Sequence, residues 1–350
     1  MLKVGVIGAG NIARCHAMVL QKFDNARVVA IADVNEDLAK MRAEAFNIER
    51  YYADYHKILE DEEIEAVTIA TPIFSHHKIV LEALKAGKHV MCEKPPCKNA
   101  KEVEECVAAA EASGKLLMWG FLCRFRKDVQ FLKEYIDAGH MGKILYAEAA
   151  RIDRCSLLGG WFIDKEKAGG GVLLDGAIHE LDTVLYLMGY PKVKVVAGFS
   201  TDVNKELPGK IKGIVAAWTS ADTNHYERTV ESAANGYVLF ENGAALYVKS
   251  GGVVYSVTNG ASYEITGEKA GAKYDANGLH LVTNVENYLM ESKPVLTGDD
   301  PLFDKELGYF VDCCLKGKTD IEETRKAVEL MKIIDGIYQS AETGMPVIYE

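Results

Sequence analysis

Near the middle of the chain an acid and an imidazole stand four residues apart, Asp175 and His179, directly after the run Gly169-Gly170-Gly171-Val172-Leu173-Leu174. If a helix begins there, one turn separates the two side chains and both project from one face. An imidazole passes protons in either direction near neutrality, and a neighbouring carboxylate can hold the ring or a substrate hydroxyl. Three residues without side chains imply close approach by a ligand or by another backbone. Far upstream, Lys94 of Glu93-Lys94-Pro95 carries a flexible stem that can reach a hydroxyl proton, with Glu93 placed to orient it. Each feature has a plainer reading. Glu93 and Lys94 could be a surface ion pair, and Asp175, His179, Asp182 and Tyr186 form a polar stripe that could simply face water.

The sequence Gly8-Ala9-Gly10-Asn11-Ile12-Ala13 follows a strand-like run and opens a helical pattern, the setting a dinucleotide fingerprint requires. Gly8 permits the tight turn, and Gly10 lets the backbone approach a pyrophosphate resting on the helix amides at Asn11 and Ile12. Asp33 ends the next strand, where an acid accepts hydrogen bonds from ribose hydroxyls and repels a 2′-phosphate; the expected cofactor is NAD rather than NADP. The alternative is that Asp33 merely caps the following helix. Thr71-Pro72 falls at the carboxyl end of a third strand, where ligands bind in open parallel sheets. His76 follows, placed either to approach the nicotinamide or to sit at a helix start or on the surface. The adjacent pair His76-His77 is poor geometry for one metal, and no metal is expected.

Strand-like runs near 3–7, 28–32, 66–70, 89–92 and 116–119 alternate with helical patterns near 11–23, 35–46, 75–86 and 99–112. Short apolar strands between amphipathic helices predict a doubly wound parallel sheet over residues 1–120. Residues 121–350 read differently. Helices near 127–138 and 173–188 and strands near 144–151, 193–200, 231–240, 244–249, 253–258 and 263–266 predict an α+β domain, closed by helices near 304–315 and 321–342. Asn242-Gly243 marks a hairpin within it. Residues 202–228 read as a long loop.

At 350 residues two domains are the natural expectation. The net charge of -11 argues against nucleic acid or an anionic membrane as partner. Met1-Leu2-Lys3 leads straight into the first strand, no apolar run reaches membrane length, and the eight cysteines show no CxxC pair. The expectation is a cytoplasmic protein with reduced thiols.

Taken in order, Gly-x-Gly-x-x-Ala, Asp33, Thr71-Pro72 with His76, Gly87-Lys88-His89-Val90 before Glu93-Lys94-Pro95, and Gly-Gly-Gly-x-x-x-Asp-x-x-x-His resemble the glucose–fructose oxidoreductase and inositol dehydrogenase family over nearly the whole chain. The resemblance implies a Rossmann domain and a C-terminal substrate-binding and oligomerisation domain with an open, mostly antiparallel sheet. It implies NAD-dependent hydride transfer at a secondary alcohol or carbonyl of a sugar, inositol or related polyol. Lys94, Asp175 and His179 become the catalytic set and contact substrate. Glu93 and Arg124 join the cofactor contacts, with Arg124 equally placed for substrate. Trp161 lines the sugar pocket or fills the core. A homodimer or homotetramer is implied, formed through the exposed sheet face. Ile73 stands where many members carry Asn, which puts one ribose contact in doubt. Two other readings stay open. One is a glycosidase or epimerase that forms a transient keto-sugar and recycles tightly bound NAD; the other is a sensor that keeps the fold without turnover.

Overall fold

The computed structural model describes residues 1–154, 159–202, 228–252 and 254–350, so Cys155 and nearly all of the expected loop at 202–228 lie outside the described residues. The chain divides into two units, Met1–Leu122 with Pro301–Val328, and Cys123–Asp300 with Glu329–Glu350.

The first unit is a six-stranded parallel sheet built from β1 (Leu2–Ile7), β2 (Ala26–Ala32), β3 (Arg50–Tyr52), β4 (Ala66–Ile69), β5 (His89–Glu93) and β6 (Leu117–Gly120). Their order is β3-β2-β1-β4-β5-β6. Val4, Val28, Ala66, Val67 and Val90 are wholly buried, as strands covered on both faces must be. The crossovers carry α1 (Asn11–Leu20), α2 (Glu36–Phe46), α3 (His56–Leu59), α4 (His76–Lys85) and α5 (Ala100–Ser113). Asn35 and Asn99 cap α2 and α5 by accepting the N–H groups of Leu38 and Glu102. The strand order reverses between β1 and β4, and the carboxyl ends of all six strands share one edge.

A late segment completes this unit. Leu307 and Phe310, buried in the same core as Leu2, Val4 and Leu20, come from the helix Leu302–Leu315. Each contributes roughly 2 kcal/mol through burial. Thr324 accepts Trp119 Nε1–H on its carbonyl at 3.1 Å and donates its hydroxyl to Leu117 O, fixing the start of the helix Ile321–Thr343 beside β6.

The second unit opens with α6 (Lys127–Asp137), β7 (Ile144–Asp153), α7 (Lys165–Ala168) and α8 (Ile178–Met188). The strands that follow are β8 (Val193–Thr201), β9 (Ala233–Phe240), β10 (Ala245–Gly252), β11 (Gly260–Gly267), β12 (Ala270–Asp275), β13 (Gly278–Val285), β14 (Tyr288–Ser292) and β15 (Val347–Ile348). With β7 they form a sheet of order β14-β13-β12-β11-β7-β10-β9-β8-β15, in which only β10 and β7 pair in parallel. The two late helices, now α9 (Leu302–Leu315) and α10 (Ile321–Thr343), fall between β14 and β15 in the chain.

Alternation gives this sheet two faces. Ala147, Val196, Val238, Leu246 and Ile265 are buried on one, while Tyr146, Phe199, Tyr237 and Tyr247 stay exposed on the other. Ile337 of α10 packs so closely that a Cβ at Gly236 would fall 2.4 Å from its Cδ1. The expected strand at 253–258 is not formed: residues 254–258 have no strand conformation, and Gly260–Gly267 takes the place beside β7. The strands β12, β13 and β14 were not expected. No described helix is long and apolar enough to cross a membrane.

Candidate active site

At the end of β1 the chain turns through Gly8, whose φ is +103°. A Cβ there would lie 2.4 Å from Ala70 O, so both backbone and packing demand glycine. Gly10 is different. It caps α1 with φ −66°, which any residue adopts, and a Cβ on it would meet nothing within 4 Å. The protein itself places no demand for glycine at this position; the open space lies in front of the helix start at Asn11 and Ile12, and no side chain caps that start. This is the approach a pyrophosphate requires. The residues therefore fit a dinucleotide.

Asp33 is half-buried beyond β2, where its Oδ2 accepts the Ala9 N–H at 2.8 Å and its Oδ1 the Asn35 N–H at 2.9 Å. The cap of α2 is Asn35, which removes the reading of Asp33 as that helix's cap. No motif marks Arg42, whose Nε donates to Ala9 O at 3.1 Å. Burial, with Arg14 nearby, lowers its pKa from the ordinary arginine value.

Thr71 and Pro72 follow β4 at the same sheet edge, half-buried. Ile73 is 2% exposed and belongs to the core. His76 is neither a surface residue nor aimed at open space. It is buried, with Nδ1 at 2.9 Å from Pro95 O and Nε2 at 2.8 Å from Thr71 O. It thus joins the turn after β4 to the turn after β5. Burial lowers its pKa, against the pull of the two carbonyls.

Glu93 and Lys94 end β5. Glu93 Oε1 pairs with His16 Nε2 of α1 at 2.9 Å, and Oε2 accepts the Lys94 backbone N–H at 3.2 Å. This is a buried anchor between α1 and the Lys94 turn rather than a surface pair. Lys94 is half-buried, and the Lys94–Pro95 peptide is cis.

In the second unit Asp175 lies in a single π-helical turn, Leu173–Ala177, and His179 lies in the first turn of α8. Both are half-buried. A π turn inserts one residue into the helical repeat and is frequent at functional sites. Cys123 Sγ lies 3.8 Å from His179 Nδ1. Burial, then the charge of Glu180, pushes the Cys123 thiol up to about 11. Glu180 is 5% exposed and burial raises it to about 7, with Arg151 opposing from 3.4 Å.

The polar stripe on this helix does not face water as a whole, because Asp182 is 1% exposed. Arg124 grips it with Nε at 2.8 Å and Nη2 at 2.7 Å, and the same Nη2 donates to Tyr190 Oη at 2.6 Å. Trp161 is half-buried and stacks on Phe162, ring centroids 3.8 Å apart. Two of the three glycines meet protein: a Cβ on Gly170 would fall 2.1 Å from Tyr338 Oη, and one on Gly171 2.3 Å from Glu231 O. The described residues contain no group of three His, Cys, Asp or Glu able to hold a metal.

Two family models match the chain. Residues 2–121 match the oxidoreductase family's NAD-binding Rossmann fold, and residues 133–348 match that family's C-terminal alpha/beta domain. D-glucoside 3-dehydrogenase of Escherichia coli is 30% identical over 99% of this chain and 97% of its own length. Myo-inositol 2-dehydrogenase of Thermotoga maritima is 27% identical over 95% of this chain and 100% of its own. Among solved structures, levoglucosan dehydrogenase in complex with NADH and L-sorbose superimposes with a TM-score of 0.85 at 24% identity, covering 100% of this chain and 99% of that one. At that identity the superposition speaks for the fold.

Proposed function

This chain belongs to the oxidoreductase family with an NAD-binding Rossmann fold and a C-terminal alpha/beta domain, and from that premise we propose that it oxidises a secondary hydroxyl of a sugar, cyclitol or related polyol. The observation that carries the reading is the position of Lys94. It leaves β5 at the same carboxyl edge as the Gly8–Ala13 turn, with β4 between β1 and β5. A dinucleotide bound by Gly10, Asn11, Ile12 and Asp33 and running past Thr71-Pro72 puts its reactive end on Lys94's side of the switch point. The curated relatives support the substrate class, since two that match over nearly their full length carry names that specify ring positions of a glucoside and an inositol.

When bound, NAD supplies the hydride acceptor. The chain's own residues handle the proton. Lys94 or His179 takes the hydroxyl proton as the carbinol C–H is lost, and Asp175 holds the imidazole or an adjacent hydroxyl. Trp161 offers an apolar face to the ring. Arg124, bound to Asp182 and Tyr190, supports the site through α8.

The described cysteines are free thiols, which suits a reducing compartment, and we assign the enzyme to the cytoplasm on that basis. Tyr146, Phe199, Tyr237 and Tyr247 on the open sheet face support a homo-oligomer. The assignment of substrate and oligomer roles to residues 121–350 rests on the same grounds.

The test is a panel of inositols, aldoses, aldonates and glucosides with NAD+ and NADP+, followed at the absorbance of reduced nicotinamide. NAD+-selective turnover that Lys94→Ala lowers at least about 10²-fold supports the assignment. Bound NAD with no net reduction on any substrate would replace it by transient oxidation in a glycosidase or epimerase.

A further inference from the structure

Glu231 lies just ahead of β9, far in sequence from Asp175 and His179, and no motif singles it out. Its carboxylate is half-buried and uses its two oxygens separately. Oε2 accepts the Gly171 N–H at 2.8 Å; Oε1 accepts the Leu173 N–H at 3.0 Å and the Tyr338 hydroxyl at 2.9 Å. Gly171 in turn accepts the Asp175 N–H on its carbonyl at 2.9 Å. The carboxylate therefore holds the first residue of the π turn directly, and reaches Asp175 through the Gly171 carbonyl.

The surroundings are shaped for this clamp. A Cβ at Gly171 would lie 3.0 Å from Glu231 Oε2 as well as against Glu231 O, and one at Gly170 would strike the Tyr338 hydroxyl. On the other side of the turn Val172 fits against Gly252 of β10, where a Cβ would fall 2.6 Å from Val172 Cγ1. The start of a helix presents N–H groups and the positive end of its dipole, so a carboxylate is the acceptor best matched to it. A neutral amide has one acceptor oxygen and would turn its NH2 toward a backbone N–H.

We infer that Glu231 is a positioning residue that sets the π turn and first turn of α8, and with them Asp175 and His179. The inference rests on the reading of those two side chains as reacting groups. It assigns Gly170 and Gly171 to the clamp rather than to a ligand, and Tyr338 becomes the group that orients the carboxylate.

The experiment compares wild type, Glu231→Gln and Tyr338→Phe, each checked for folding by circular dichroism and for NAD affinity by fluorescence titration. The His179 ring resonance is followed by NMR through a pH titration in histidine-labelled protein, assigned with His179→Gln. The expected result for Glu231→Gln is a kcat lower by about 10-fold to 10²-fold, the scale of a misplaced reacting group. NAD affinity should stay within twofold of wild type, and the His179 titration should shift. Tyr338→Phe should move kcat and the resonance in the same direction by less. A folded Glu231→Gln with wild-type kcat and an unmoved His179 titration would overturn the inference. If Glu231→Gln does not fold, an unmoved resonance and kcat in Tyr338→Phe overturn it instead. Should wild type oxidise no polyol, the functional reading fails, while the His179 titration still decides for or against the clamp.

Discussion

The carboxylate of Asp33 accepts the backbone N–H of Ala9 at 2.8 Å, so a side chain joins the end of β2 to the turn after β1 beside the backbone bond from Gly8 N–H to Ala32 O at 2.7 Å. Arg42 holds the other side of the same residue through Ala9 O. Asp33→Ala should weaken NAD binding at least about tenfold, the order of one charge-assisted hydrogen bond, and should narrow the preference over NADP. Titration with both dinucleotides reads this directly. An unchanged NAD/NADP ratio would reduce Asp33 to a support for the turn.

Gly8 and Gly10 should separate folding from binding. Gly8→Ala forces a side chain into positive φ and into Ala70 O, and should cost about 2 kcal/mol or more of stability in a urea titration. Gly10→Ala meets nothing and should melt like wild type, yet lose NAD affinity. A Gly10→Ala variant that binds NAD normally would remove the pyrophosphate from this turn.

Glu180 predicts a pH signature in stability. Its folded pKa of about 7 lies above the ordinary 4.5, so the folded state holds the extra proton between those values. Stability should therefore fall as pH rises through that window, and the loss should be complete above it. Glu180→Gln should flatten the slope and be more stable at pH 8 by on the order of 2 kcal/mol. Urea midpoints at pH 5, 6, 7 and 8 check the sign.

Arg124 and Asp182 form a bidentate pair with the acid fully buried. Removing one partner leaves the other charge without its counterion. Arg124→Ala should destabilise the protein by about 3 kcal/mol or more, lessened to the extent that Tyr190 still donates to Asp182. A loss below 1 kcal/mol in chemical denaturation would contradict the pair's structural role.

The first sheet was readable because its signals are local: an apolar strand, a glycine turn, a capped helix, repeated in order. Arg50–Tyr52 was missed because three residues carry too little pattern to stand out. In the second unit β12 and β13 alternate only briefly, through Ala270 and Ala272 and through Leu279 and Leu281, too short a pattern to stand out, and tertiary pairing decides their state. The run 253–258 has the composition of a strand, but the place beside β7 is taken by Gly260–Gly267. Site residues divide along the same line. Gly8, Gly10, Asp33 and Lys94 follow from motif spacing, whereas His76 as a bridge, Arg42 on Ala9 and Glu231 on Gly171 depend on contacts between distant segments. The π turn at Leu173–Ala177 is a matter of hydrogen-bond register, which residue types alone do not encode.

The return of Pro301–Val328 to the first unit bears on how the protein is made. A ribosome delivers every strand of the parallel sheet, and every residue of the fingerprint, before it has begun the second sheet. The nascent sheet must then wait on the order of ten seconds for Leu307 and Phe310 to cover Leu2, Val4 and Leu20. Throughout that interval a nearly finished nucleotide fold exposes apolar surface to its neighbours on the polysome. Synthesis halted before Pro301 would release a product carrying the complete motif and an unfinished core, a natural client for chaperones and proteases.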